Sequence, residues 1–165
     1  MRILIFGGAG FVGRHYVQHF LSKKDYVEVI DNLAPLSGGI HPRNWKLFNP
    51  YNFHKKFKFI KQDCRIYFRK KLKRKFDIVI NLAAIVGGRE VIEYNPLAVA
   101  EDLEIDTAFW RWSVVNKKLI KHTITYSSSA AYPVELQKKS NFRLLKETDI
   151  DFSKNLLGKP DLSYG

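Results

Sequence analysis

The stretch Arg2-Ile3-Leu4-Ile5-Phe6-Gly7-Gly8-Ala9-Gly10-Phe11-Val12-Gly13 constrains this chain more than any other. Its apolar run has the β-branched and aromatic character of a strand buried on both faces. A glycine-rich turn follows, and then Val12, Tyr16, Phe20 and Leu21 recur at helical spacing. Gly8-x-Gly10-x-x-Gly13 fits the dinucleotide fingerprint, and Gly7-x-x-Gly10-x-x-Gly13 fits its close variant. Such glycines serve a tight turn, close backbone approach to a pyrophosphate, and close packing of helix on strand. The helix start adds free N–H groups and a positive dipole end. Gly7, Gly10, Phe11, Val12 and Gly13 are therefore candidate phosphate-binding positions.

A second apolar run, Val27-Glu28-Val29-Ile30, ends in Asp31, eighteen residues after Gly13. An acid at a strand's carboxyl end can accept hydrogen bonds from ribose hydroxyls, and its charge would repel a 2′-phosphate. NAD is thus expected over NADP. Residues 32–51, rich in Pro, Gly and Asn, read as a long loop with one short helix at most. Further strands are expected over Phe57–Ile60, Phe76–Ala84 and Ile120–Tyr126. At the end of the fourth, the small residues Ala83 and Ala84 leave room for a flat ligand near the backbone. From Pro96 to Asn116 a helix is expected, with Leu97, Ala100, Leu103 and Trp110 as its buried stripe and Trp112 off it. Strands alternating with helices imply an α/β, Rossmann-like, doubly wound parallel sheet.

At 165 residues the chain is long enough for one domain with a real core, and its 45% apolar content suits a globular fold. No apolar run reaches membrane-spanning length, and the first residues read as a strand, without a signal peptide's small-residue cleavage site. The single Cys64 excludes an internal disulfide and suits a reducing cytoplasm, and no metal-site spacing is present. The net charge of +12 concentrates in Lys55–Lys75, especially Arg69-Lys70-Lys71-Leu72-Lys73-Arg74-Lys75. A nucleic-acid or membrane patch is one reading of that cluster. The favoured one is a solvated helix face with Ile66, Phe68, Leu72 and Phe76 inward. The lack of a recognition helix or stacking-aromatic motif argues against nucleic acid as a partner.

Taken in order, these segments resemble the N-terminal part of the extended short-chain dehydrogenase/reductases, the NAD-dependent sugar-nucleotide epimerases and dehydratases. The resemblance covers nearly all 165 residues. It rests on Gly7, Gly10 and Gly13; on Asp31-Asn32-Leu33; on Asp63-Cys64-Arg65; on Asn81-Leu82-Ala83-Ala84; and on Ser127-Ser128-Ser129 with Tyr132-Pro133. It implies that Asp31 and Asn32 hold the adenosine ribose and that Asp63, beside Cys64, contacts the adenine. Leu82, Ala83 and Ala84 would line the cofactor. It further implies Ser128 (with Ser129 next in line) and Tyr164 as catalytic residues. The substrate would be a nucleotide sugar, and a homodimer would form through the helix over 96–116.

Four residues depart from the family pattern: Phe6 for a frequent Thr, Asn81 for a frequent His, Pro133 for the usual Gly, and Asp106 for a common Asn. The lysine expected four residues after Tyr164 would fall beyond Gly165. The expectation is therefore a partial copy: one dinucleotide-binding domain over 1–165, cut before the last strands, without the substrate-binding domain. A non-catalytic NAD-binding module or redox sensor is the alternative.

Overall fold

Burial and strand character coincide at β1 (Arg2–Phe6), where Ile3, Leu4, Ile5 and Phe6 are fully buried. Because alternate residues of a strand point to opposite faces, β1 feeds two cores. Ile3 and Ile5 pack with α1 (Phe11–Ser22) and β2 (Tyr26–Asp31), whereas Leu4 and Phe6 pack on the other side. Around β1 the computed structural model places four more parallel strands, in the order β3-β2-β1-β4-β5. These are β3 (Phe57–Lys61), β4 (Phe76–Asn81) and β5 (Ile120–Thr125), with Ile3 opposite Val27 and Ile78, and Ile80 opposite Ile124. The structure describes residues 1–85, 94–126, 132, 136 and 143–149.

This is the Rossmann-like parallel sheet expected from the strand–helix alternation. Its strand order reverses between β1 and β4, where ligands of open α/β sheets bind beyond the carboxyl ends of the strands. Three short 3-10 turns, Pro35–Ser37, Pro42–Asn44 and Pro50–Lys56, fill the loop before β3, each with proline at its start. Pro suits that position because its fixed φ is preorganised and its missing N–H has no partner to lose.

Opposite α1, the second core is aromatic. Phe6 meets Tyr67, Phe68, Phe109 and Trp112 edge-to-face, with ring centroids 4.7–6.0 Å apart. Two helices bring these rings in: α2 (Cys64–Phe68) and α3 (Pro96–Val115). Asn95 caps α3, its Oδ1 accepting from the Ala98 N–H at 3.1 Å.

Several sequence expectations are corrected here. The buried face of α3 carries Ile105, Phe109, Trp112 and Ser113, while Leu97, Leu103, Trp110 and Val114 are 49–67% exposed. Apolar residues are scattered around the helix between its acids and Arg111, so periodicity alone points to the wrong side; the aromatic layer over Phe6 selects Phe109 and Trp112 instead. On α1, Val17 is buried and Val12 is exposed, because the helix seats on the sheet through Gly13, Val17, Phe20 and Leu21. Ile66 is exposed on a helix of only five residues, although Phe68 and Phe76 do point inward. Strand β4 ends at Asn81, so Leu82, Ala83 and Ala84 form the exit from the strand.

Residues 126–165 form a second unit. Within it, the 3-10 turn Glu147–Asp149 is closed by Arg143, which pairs with Asp149 at 2.7 Å, and by the Lys146 N–H, which donates to the same carboxylate.

Candidate functional site

Gly7 sits at the end of β1 in the left-handed region, with φ +72°. A Cβ there would lie 2.6 Å from the Leu82 carbonyl carbon and 2.7 Å from the Ala83 nitrogen. The turn therefore runs directly against the exit of β4, at the reversal of strand order. Gly13, in the first turn of α1, is closer still: its Cβ would stand 2.5 Å from the Gly7 oxygen and the Gly8 Cα. Both positions are glycine because backbone occupies the space of a side chain.

Gly10 differs. Its φ of −71° is ordinary, and a Cβ would meet only the Gly7 oxygen at 3.3 Å and the Ser37 oxygen at 3.9 Å. A methyl group here would require the Gly7 oxygen to give by only a few tenths of an ångström. What a side chain would obstruct is the approach to the helix end, where Gly10 is the N-cap and no side chain caps the first turn. The N–H groups of Phe11, Val12 and Gly13 are the first three of the helix, the donors a helix leaves unsatisfied. Unsatisfied N–H groups at a helix start suit an anion.

Asp31 ends β2 beside the turn and is 7% exposed. Its Oδ2 accepts from the Ala9 N–H at 2.9 Å and its Oδ1 from the Leu33 N–H at 2.8 Å. The acid thus fixes the glycine turn, and it holds Leu33 at φ +60°, a conformation costly for a branched residue. Each carboxylate oxygen retains a further lone pair for a ribose hydroxyl. Gly39 packs on the same carboxylate, where a Cβ would be 3.2 Å from Oδ1, and the Ile40 N–H donates to the Ala9 oxygen. In the sequence Gly38-Gly39 reads only as part of a loop, and the glycine pair is the one signal of this close approach. Ala9 contributes through backbone alone, which leaves no side-chain signature. Asn32 is exposed and caps its own loop, accepting from the Ala34 N–H at 3.0 Å.

Asp63 follows β3, on the strand next to Asp31; the two segments join where the Gln62 N–H donates to the Asp31 carbonyl at 3.0 Å. It caps α2 by accepting from the Arg65 N–H and pairs with the Arg65 guanidinium at 2.8 Å. That hydrogen bond holds the Asp63 carboxyl below its usual range, against the opposing effect of burial. Arg65 also reaches Glu104 on α3 at 2.8 Å. Cys64 is buried, and desolvation pushes its thiol up to about 12, so it stays protonated at neutral pH.

At the exit of β4, Asn81 is buried and donates from Nδ2 to Asp106 Oδ1 at 3.2 Å. One helical turn earlier, Asp102 accepts from the Ile85 N–H at 2.8 Å. Two acids of α3 therefore hold the 81–85 segment at both ends. Burial, and then the charge of Asp102, raise the Asp106 carboxyl above its usual range. The departures at 81 and 106 are one paired arrangement.

The structure thus gathers Gly7, Gly10, Phe11, Val12, Gly13, Asp31, Leu82 and Ala83 around the switch point, and ties Asp63 to that edge through backbone. Ser128, Ser129 and Tyr164 lie outside the described residues. Among the described residues, no three metal-capable side chains cluster, and no helix is long and apolar enough to cross a membrane.

Solved structures share this fold. A UDP-N-acetylglucosamine 4-epimerase from Methanobrevibacter ruminantium M1 superposes with a TM-score of 0.63 at 24% identity, over 98% of this chain and 46% of that one. The dTDP-glucose 4,6-dehydratase DesIV from Streptomyces venezuelae, solved with NAD and TYD bound, gives 0.63 at 23% identity, over 80% and 41%. At these identities the likeness shows the fold. In sequence, the chain is 32% identical over 91 residues to the uncharacterized UDP-glucose epimerase YtcB of Bacillus subtilis (strain 168), which is 54% of this chain and 28% of that protein. It thus spans less than half the length of these relatives. The family model described as NAD dependent epimerase/dehydratase matches residues 3–150, and the chain belongs to that family.

Proposed function

We propose that these residues form the dinucleotide-binding part of an NAD-dependent oxidoreductase of the epimerase/dehydratase type, acting at a hydroxyl-bearing carbon of a nucleotide sugar. The observation that carries the reading is the bare helix end at Gly10, set against the exit of β4 with Asp31 beside it. In this reading the N–H groups of Phe11, Val12 and Gly13 receive the pyrophosphate. Asp31 and Asn32 take the adenosine ribose, and Asp63, beside Cys64, the adenine. Leu82, Ala83 and Ala84 border the cofactor's other half. NAD held by these residues would supply the hydride acceptor.

Ser128 would orient the substrate hydroxyl and Tyr164 would remove its proton. A free tyrosine, with a pKa of about 10, is phenolate in only about one molecule in a thousand at neutral pH. Tyr164 therefore needs a neighbouring cation, the role of the family's lysine, to act as a base. The activity is proposed for a protein that supplies that cation together with a substrate-binding domain, in the cytoplasm. A homodimer is proposed through α3, whose Leu103, Trp110 and Val114 are exposed. A chain that binds NAD without turnover would instead be a binding module or redox sensor.

Calorimetry with NAD and NADP tests the cofactor half. NAD is expected to bind more tightly, and Asp31→Asn to weaken NAD by roughly tenfold, the scale of one hydrogen bond to a charged group. Tighter NADP binding would contradict the ribose assignment. Assays of a protein extending past Gly165 against UDP- and dTDP-sugars test the reaction; NAD binding with no turnover of any of them would favour the binding module.

A further inference from the structure

A second concavity, of about 380 Å³, opens on the opposite layer of the sheet from α1. It lies between the turn after α2 and the flank of α3, and shares no lining residue with the glycine turn. Phe68, Ala108 and Trp112 line its wall, and Arg69, Lys70, Lys71 and Arg111 stand around it. Its one acid, Glu104, is already paired with Arg65. Among the described residues, none of the four remaining cations forms a salt bridge, although the charge of Arg69 also acts on Asp63.

The basic run is not a loose solvated helix face. α2 stops at Phe68, and the turn beyond it is stapled to α3 at two points. The Trp112 indole N–H donates to the Lys70 carbonyl at 2.9 Å. Buried Asn116 accepts from the Leu72 N–H at 2.9 Å while donating to the Trp112 carbonyl at 2.8 Å. The cationic residues 69–71 are thus carried on a backbone fixed against the helix that bears Arg111. A polyanion in the groove would meet four cations, three of them carried on this pinned turn. Guanidinium forks at 69 and 111 suit phosphate oxygens, and the two lysines add point charges. The volume falls in the range of small-molecule sites.

We propose that this groove binds a small ligand carrying two or three clustered phosphate groups, separately from the dinucleotide cradle. The probe is inorganic tripolyphosphate, titrated into the ¹⁵N-labelled chain, with a nucleoside triphosphate as a second arm to show whether a base adds affinity. Tripolyphosphate should shift the Trp112 indole N–H and the amides of 69–72. In an Arg69→Gln/Arg111→Gln variant its Kd should rise at least tenfold, with the spectrum elsewhere unchanged. Affinity should also fall steeply with salt. Shifts confined to residues 7–13, an unaltered Kd in the variant, or equal shifts from chloride at matched ionic strength would overturn the proposal. So would binding of an RNA oligomer without binding of tripolyphosphate, which would make the cluster a nucleic-acid contact.

Discussion

Gly10 and Gly13 stand three residues apart in one turn, yet the same methyl group should affect them differently. At Gly13 the added Cβ collides with backbone on two sides, and backbone does not yield as a flexible side chain does. Gly13→Ala should destabilise the fold by roughly 1–3 kcal/mol or more, read as a lower urea midpoint. Gly10→Ala should leave that midpoint within about 1 kcal/mol of the parent, since its φ suits any residue. It should nevertheless weaken NAD binding about tenfold or more in calorimetry. Asp106 adds a titration. A carboxyl raised in the folded state binds its proton more tightly there than in the unfolded chain, so its contribution favours the fold at low pH. That contribution is lost as pH rises from the ordinary value toward the raised one. Asp106→Asn keeps an acceptor for Asn81 and removes a partly desolvated charge. The variant should melt above the parent at pH 7, with the gap closing below about pH 4.

Among the elements, α3 separates what the sequence discloses from what it withholds. Pro96 and Asn95 mark its start plainly, and its length was legible. Its orientation was not, because apolar residues are scattered around it and only a partner surface can choose between them. The choice is made by Phe6, the residue that departs from the family's frequent Thr. Its ring recruits Phe109 and Trp112 and turns Leu103 and Trp110 outward. Phe109→Ala should therefore cost about 3–5 kcal/mol. Trp110→Lys should leave the melting transition nearly unchanged while shifting a dimer toward monomer in light scattering. The strands were easier to read. A parallel strand buried on both faces is a continuous apolar run, a signal that survives without knowledge of its neighbours. The exit of β4 was missed because Leu82 and Ala83 are as apolar as the strand they leave.

Across the whole molecule, the phosphate end of the candidate site was more legible than its polar supports. Glycines announce themselves by type, whereas Asp102, Glu104 and Arg65 acquire their roles only when α3 is laid beside the ends of β3 and β4. Binding should couple to stability across the chain. If NAD occupies the cradle, each tenfold increase in free NAD above its Kd should add about 1.4 kcal/mol to unfolding, seen as a rising Tm. NADP at equal concentrations should raise it less.

The two sides of β1 also close at different moments as the chain is made. Among the described residues, the α1 side draws most of its members from Ile3 to Phe59, with Ile78, Ile80 and Leu82 arriving later. The aromatic side waits for Phe109 and Trp112, more than a hundred residues after Phe6. Contacts that far apart in sequence form slowly. A ribosome-bound chain would thus carry an early half-sheet whose Leu4 and Phe6 have only the rings of α2 over them, an incompletely covered hydrophobic face until α3 emerges.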